Sequence, residues 1–265
     1  LENYVETGSM RTKSKFDFGP VNTVISSNFV DKYRLRVSGR TTANLNKHLF
    51  WKGYYAYGTE SQKHYYGTEI TYSLNKKKNV PFEFPQRNIT FETGYDVMSP
   101  ADKFLTHNKD NVFMSLRTQK VEQMYFYNRQ KLSFDYETDW GFSINTSVKA
   151  ESNRPTGDLV FKKMPGAITN PTADGNEYVN RIRTTEFKIG LRYCPGQTFI
   201  NTKQQRWPVN LDAPEFTVSH TVGLNNVLGG QYKLNFTEAG IYKRFWMGTW
   251  GYIDTHLKGG AQWDK

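Results

Sequence analysis

The residues best placed to do chemistry are three arginines in the run Tyr33-Arg-Leu-Arg-Val-Ser-Gly-Arg-Thr-Thr-Ala43. In an extended strand, residues two apart point to the same side. Arg34, Arg36 and Arg40 therefore share one face. Guanidinium groups in such a row suit a phosphate, a carboxylated solute or an acidic sugar, each gripped by two parallel N–H donors. Lys52, Glu69 and Glu92 fall on the polar faces of the next segments and complete a candidate binding set. The same ladder also has a purely structural use, in which Glu69, Glu92 and other carboxylates hold the arginines as a salt-bridged filling. That second use is preferred, because the interior of a small barrel must be filled or charge-compensated.

Covalent chemistry finds no foothold. The five histidines, His48, His64, His107, His220 and His256, include no pair at the His-x-x-x-His spacing of a helical metal site. Ser219 and His220 are adjacent, so in a strand they point to opposite faces and cannot form a nucleophile and base. No Gly-x-Ser-x-Gly elbow, phosphate loop or dinucleotide fingerprint occurs. Cys194 is the sole cysteine, which excludes an intrachain disulfide framework, and it reads as an unpaired thiol in a loop or at a strand end. Lys76-Lys77-Lys78 reads as a solvated turn near headgroups. The sequence therefore predicts no catalytic residue, no metal site and no cofactor, and a protein that is not an enzyme.

The elements that must position the arginine face are strands. Helical spacing is hard to find, whereas period-two alternation recurs from about residue 31 to the end of the 265 residues. Strands are predicted over 33–43, 48–60, 64–74, 87–97, 124–137, 141–152, 182–193, 215–224, 231–241 and 246–261, with the phase of the last two left open. Roughly ten strands of 9–13 residues approach the length that a tilted strand needs to cross a bilayer, about 9–11 residues. Aromatic residues make up 15% of the chain, and Trp51, Tyr55, Tyr66, Tyr72 and Tyr95 sit on the apolar faces, as an interfacial girdle requires. The chain carries a formal charge of +10, which favours anionic partners without choosing among them. Long connections are expected at Ser99–Gln119 and Asn153–Arg181, on one end of the strands. Pro195–Pro214 is long on the end expected to be short.

The blocks Phe16-Asp-Phe-Gly-Pro20, Tyr33 to Ala43, Gly53-Tyr-Tyr-Ala-Tyr-Gly58, Tyr95-Asp-Val-Met-Ser-Pro100 and Tyr242-Lys-Arg-Phe245 resemble the barrel part of Bacteroidota outer-membrane proteins of domain-of-unknown-function family 5686. That resemblance implies an all-β, antiparallel transmembrane β-barrel, present here as part of a larger one. It also implies a carboxypeptidase-regulatory-like sandwich ahead of the barrel in the longer protein, absent from this stretch. Residues 1–30 are expected to form a lead-in segment and 31–265 the outer-membrane barrel region. The expected location is the cell outer membrane and the expected partners are its lipid and lipopolysaccharide, with other outer-membrane or surface proteins. No nucleic acid is expected. The expected role is solute passage, or anchoring and assembly of a surface complex. The rival reading is a soluble all-β binding module for carbohydrate or single-stranded nucleic acid.

Overall fold

A computed structural model describes residues 15–104, 121–162, 178–202 and 206–263. Within them the alternating segments form long strands: β3 (Arg34–Thr41), β4 (Leu49–Gly58), β5 (His64–Ser73), β6 (Arg87–Met98), β7 (Gln123–Glu137), β8 (Phe142–Gly157), β11 (Ile182–Tyr193), β14 (Glu215–Gly223), β15 (Leu234–Trp246) and β16 (Tyr252–Gln262). Six short strands accompany them: β1 (Phe16–Phe18), β2 (Ile25–Ser26), β9 (Phe161–Lys162), β10 (Tyr178–Val179), β12 (Phe199–Asn201) and β13 (Arg206–Pro208). Among the described residues, helix is confined to 3-10 turns such as Pro100–Phe104.

All ten long strands belong to one antiparallel sheet, in the order β1-β3-β4-β5-β6-β7-β8-β11-β14-β15-β16, with β2 also on β3. Each long strand pairs with the next one in sequence, so the sheet is a meander built from hairpins. Its free edges are β16 at one side and β3, partly covered by β1 and β2, at the other. Among the described residues these edges are not joined. The expected barrel is thus found as a curled, open sheet.

The curl is read from contacts that a flat sheet forbids. β3 and β6 stand three strand spacings apart, about 14 Å in a flat sheet. Yet Arg34 on β3 and Asp96 on β6 are joined by two hydrogen bonds, Nη1 to Oδ1 at 2.6 Å and Nη2 to Oδ2 at 2.8 Å. The face carrying both residues must therefore be concave. Burial follows that curvature. Arg36, Thr71, Ser73, Asn88, Thr90, Ser133, Ser147 and Glu151, all on the concave face, are buried. The alternate residues Leu35, Val37, Ile70, Phe91, Leu132, Phe187 and Val218 are exposed, Val37 at 69%. Beyond β8 the shielding fades, until every residue of β16 is exposed.

Three details differ from the sequence reading. β8 runs through Arg154-Pro-Thr-Gly157 where a loop is expected, because these residues pair with Gln123 to Phe126 of β7. β11 begins opposite Asn153, so Pro155 lies where β8 has no neighbour on its second side and a missing N–H is tolerated. The turn before β16 is Met247-Gly-Thr-Trp-Gly251, with Gly248 and Gly251 at φ of +62° and +104°, so β15 reaches Trp246 instead of ending near 241. Pro195–Pro214 holds the β12/β13 hairpin, which the sequence reading missed. His107 and residues 105–120 and 163–177 of the two long connections lie outside the described residues.

Candidate functional site: the charged concave face

Four of the six residues singled out from sequence stand in one row. Strand register sets Asp17, Arg40, Lys52, Glu69, Glu92, Lys131, Lys149 and Glu186 opposite one another across eight consecutive strands of the sheet. Four carboxylates thus meet four cations, and the order of signs gives every member an opposite charge on one side. Directly opposed charges of unlike sign stabilise strand pairing, typically by a few tenths of a kcal/mol. Ion pairs close at Arg40–Asp17 (3.4 Å), Lys131–Glu92 (3.5 Å) and Lys149–Glu186 (2.9 Å).

Above this belt lies a second, more deeply buried cluster. Asp96 accepts both guanidinium bonds of Arg34 and a 2.6 Å bond from the Tyr54 hydroxyl. Asp31 lies 3.6 Å from Arg34 and accepts from Tyr65 (2.6 Å), Ser61 (2.5 Å) and Asn28 (2.9 Å). Arg34 also stacks on the Tyr65 ring at 4.6 Å, and Arg36 on the Tyr54 ring at 4.0 Å. Tyr54 can lie flat here only because Gly67 is beside it; a Cβ there would stand 2.3 Å from the ring. Arg129 and Glu151 add a further pair at 2.6 Å. Between belt and cluster is a cavity of about 280 Å³ lined by Arg36, Arg40, Lys52, Tyr54, Glu69 and Glu92 among others.

At the end where β5 turns into β6, residues 74–86 fold over the concave face. Asn88, on that face, donates to the Pro81 carbonyl at 2.8 Å. The Glu83 carboxylate accepts from the backbone N–H groups of Lys78 (2.8 Å) and Asn79 (2.7 Å). Lys77 is buried and donates to the carbonyls of Glu83 (2.7 Å) and Pro85 (2.8 Å). The lysine run is therefore solvated at Lys76 and Lys78 but not at Lys77, which pins the segment from inside. Burial pushes the Lys77 ammonium down to about 8. The β12/β13 hairpin locks this cap from outside. Asn201 exchanges two 2.9 Å bonds with the Phe84 backbone, Phe199 packs against Phe84, and Arg206 pairs with Glu137 at 2.7 Å. Cys194 is buried at the end of β11, and burial raises its thiol pKa.

With this geometry in view, comparison with known families is decisive for kinship. Residues 5–265 match the C-terminal domain of the family of unknown function DUF5686. The chain belongs to that family. No curated protein matches it. In this DUF5686 domain, the structure brings Arg36, Arg40, Lys52, Glu69 and Glu92 to one cavity and sets Arg34 apart in the cluster around Asp96. The partners differ from the sequence reading. The sequence pattern offers Glu69 and Glu92 to the arginines, but register places them opposite Lys52 and Lys131, while Asp96, Asp31 and Asp17 hold Arg34 and Arg40. Asp17 and Asp31 both lie at the margin of the strand pattern, in or beside the lead-in, where sustained alternation does not single them out. The alternation in Phe16-Asp-Phe18 was the available signal for the first.

Proposed function

We propose that this DUF5686 domain is the membrane-embedded β-barrel portion of an outer-membrane protein, and that it anchors or helps assemble a surface complex without covalent chemistry. One observation carries the reading: burial is inverted. Arg34 and Asp96 are fully buried while Leu35, Val37, Leu132 and Val218 are half or more exposed or close to it. A water-soluble sheet hides its apolar face against a second layer. Here all ten long strands share one sheet, and among the described residues that face is covered only toward one end, where Val97, Met124, Phe126 and Thr185 are buried. Hydrocarbon is the solvent that suits such a surface.

Anchoring is preferred to open passage because the interior is neutralised and capped. The belt pairs its charges internally, and residues 74–86 with the β12/β13 hairpin cover one end. The unpaired edge of β16 is then where the sheet is completed, since a strand edge cannot be left bare in lipid. The same pairing argues against the soluble rival, in which a basic groove would keep its cations available for nucleic acid.

Fractionation tests this. The protein should pellet with membranes, need detergent for extraction, and migrate differently on a gel before and after heating. Recovery from the aqueous phase as a monomer with heat-independent mobility would overturn the reading. In planar bilayers, the protein should carry little current. A large steady conductance would restore solute passage as the role.

A further inference from the structure

A second cavity, of about 420 Å³, is walled mainly by the alternate residues of β7, β8 and β11. Its walls include Asn128, Gln130, Ser152, Arg154 and Arg183, which alternate along β7, β8 and β11 with Arg129, Glu151 and Glu186 of the concave face. The cavity therefore shares its face with Leu132, Val148 and Phe187 of the apolar surface. Arg183 is four residues from Phe187, or about 13 Å along the strand. It sits at the margin of the greasy band, on the end of the strands that carries the long connections.

Three arginines, Arg154, Arg181 and Arg183, face this space. Glu151 is its sole carboxylate, and Arg129 already holds that group at 2.6 Å. Among the described residues no carboxylate pairs with any of the three arginines. The remaining wall is apolar, from Tyr95, Phe126 and Leu228. The turn bearing Leu228 is fixed in place: Leu224 N–H donates to the Thr185 carbonyl (2.7 Å), Thr185 Oγ1 to the Val227 carbonyl (2.8 Å), and Gln231 N–H to the Arg183 carbonyl (3.0 Å). Gly230 is required there, since a Cβ would stand 2.2 Å from the Leu224 carbonyl oxygen.

We infer that this cavity binds the headgroup of a phosphorylated glycolipid, with its acyl chains lying along the apolar band. The inference rests on the membrane reading and adds a ligand and a site to it. Guanidinium forks match phosphate oxygens in pairs. Asn128, Gln130 and Ser152 offer neutral donors and acceptors of the kind that sugar hydroxyls take. A free phosphorylated sugar would use the arginines but would gain nothing from a site bordering Leu132, Val148 and Phe187. Charge complementarity and that border together select the lipid.

The test uses the purified protein in phosphatidylcholine nanodiscs doped with one of three lipids: phosphorylated lipid A, the same lipid after phosphatase treatment, or phosphatidylglycerol. Retained lipid is measured by mass spectrometry after repurification. The wild-type protein should retain phosphorylated lipid A at least tenfold over the dephosphorylated form, and over phosphatidylglycerol. Arg154→Gln combined with Arg183→Gln should abolish the preference while heat-dependent gel mobility stays unchanged. Equal retention of phosphorylated and dephosphorylated lipid A overturns the site, as does equal retention of phosphatidylglycerol. Those wild-type comparisons stand even where the double variant does not fold. A protein that enters nanodiscs but shows no preference refutes this site alone, whereas one that never enters them refutes the membrane reading beneath it.

Discussion

Replacing Asp96 with Asn tests the interior most directly. The substitution keeps the shape of the side chain and its capacity to meet the Tyr54 hydroxyl, but removes the charge that faces Arg34. Both partners are fully buried, and their bonds are 2.6 and 2.8 Å long. Breaking one side of such a buried pair typically costs about 3–5 kcal/mol, because the remaining charge is stranded away from water. Asp31 stands 3.6 Å from Arg34 and offers partial compensation, which sets the expectation at the lower end, about 3 kcal/mol. Replacing the pair together, Arg34→Met with Asp96→Leu, should cost less than the sum of the two single changes, because the Arg34–Asp96 interaction is then lost only once, although buried Asp31 loses its cation. Urea titration of the reconstituted protein, followed by gel mobility or tryptophan fluorescence, measures both. The reasoning fails if Asp96→Asn shifts stability by less than about 0.5 kcal/mol, the range of an ordinary surface change. It also fails if the double variant is as unstable as the sum of the singles.

Further predictions follow from other parts of the molecule. Val37→Arg, at a site 69% exposed, should be nearly silent in a soluble protein but cost up to about 2–4 kcal/mol on a lipid-facing strand, read by the same urea titration in vesicles. Gly141→Ala should destabilise by about 1–3 kcal/mol, because Gly141 has φ of +92° and a Cβ there would stand 2.1 Å from the Cys194 carbonyl oxygen. Burial lowers Lys77 to about 8, below its unfolded value, so between those values the unfolded chain binds the extra proton. Stability should therefore rise from about pH 8 to about pH 10. Lys77→Met should flatten that slope relative to the parent, in unfolding midpoints measured across the range.

The strands were legible because each alternates over nine or more residues, and a half-buried strand leaves that trace whichever solvent meets its apolar side. Face assignment followed from the same pattern: Arg34, Arg36, Arg40, Lys52, Glu69 and Glu92 all lie on the concave face. Pairing was not legible. Opposing Glu92 to Lys131 and not to an arginine depends on register, and register depends on how many residues each hairpin connection consumes. Nor could alternation reveal curvature, so the Arg34–Asp96 contact across three strand spacings was out of reach. Short strands carry too few residues to show a period, which hides β2 and the β12/β13 hairpin and leaves β1 only the three-residue alternation of Phe16-Asp-Phe18. The cap is a case of chemistry opposing a local rule: three successive lysines predict solvent, yet two carbonyls from Glu83 and Pro85 take the middle one inward.

The distribution of charge separates two roles that the overall +10 leaves open. An anion-conducting interior would keep its cations unpaired along the path. Here Arg40, Lys131 and Lys149 of the belt are matched to Asp17, Glu92 and Glu186, and Arg34 and Arg129 are matched to Asp96 and Glu151. The cations without a described carboxylate partner include Arg154, Arg181 and Arg183, which lie on the opposite face of the sheet. These cations of the concave face are thus held by carboxylates, while the three arginines are open to an anion. On the proposed membrane reading, this arrangement favours anchoring over passage of solutes.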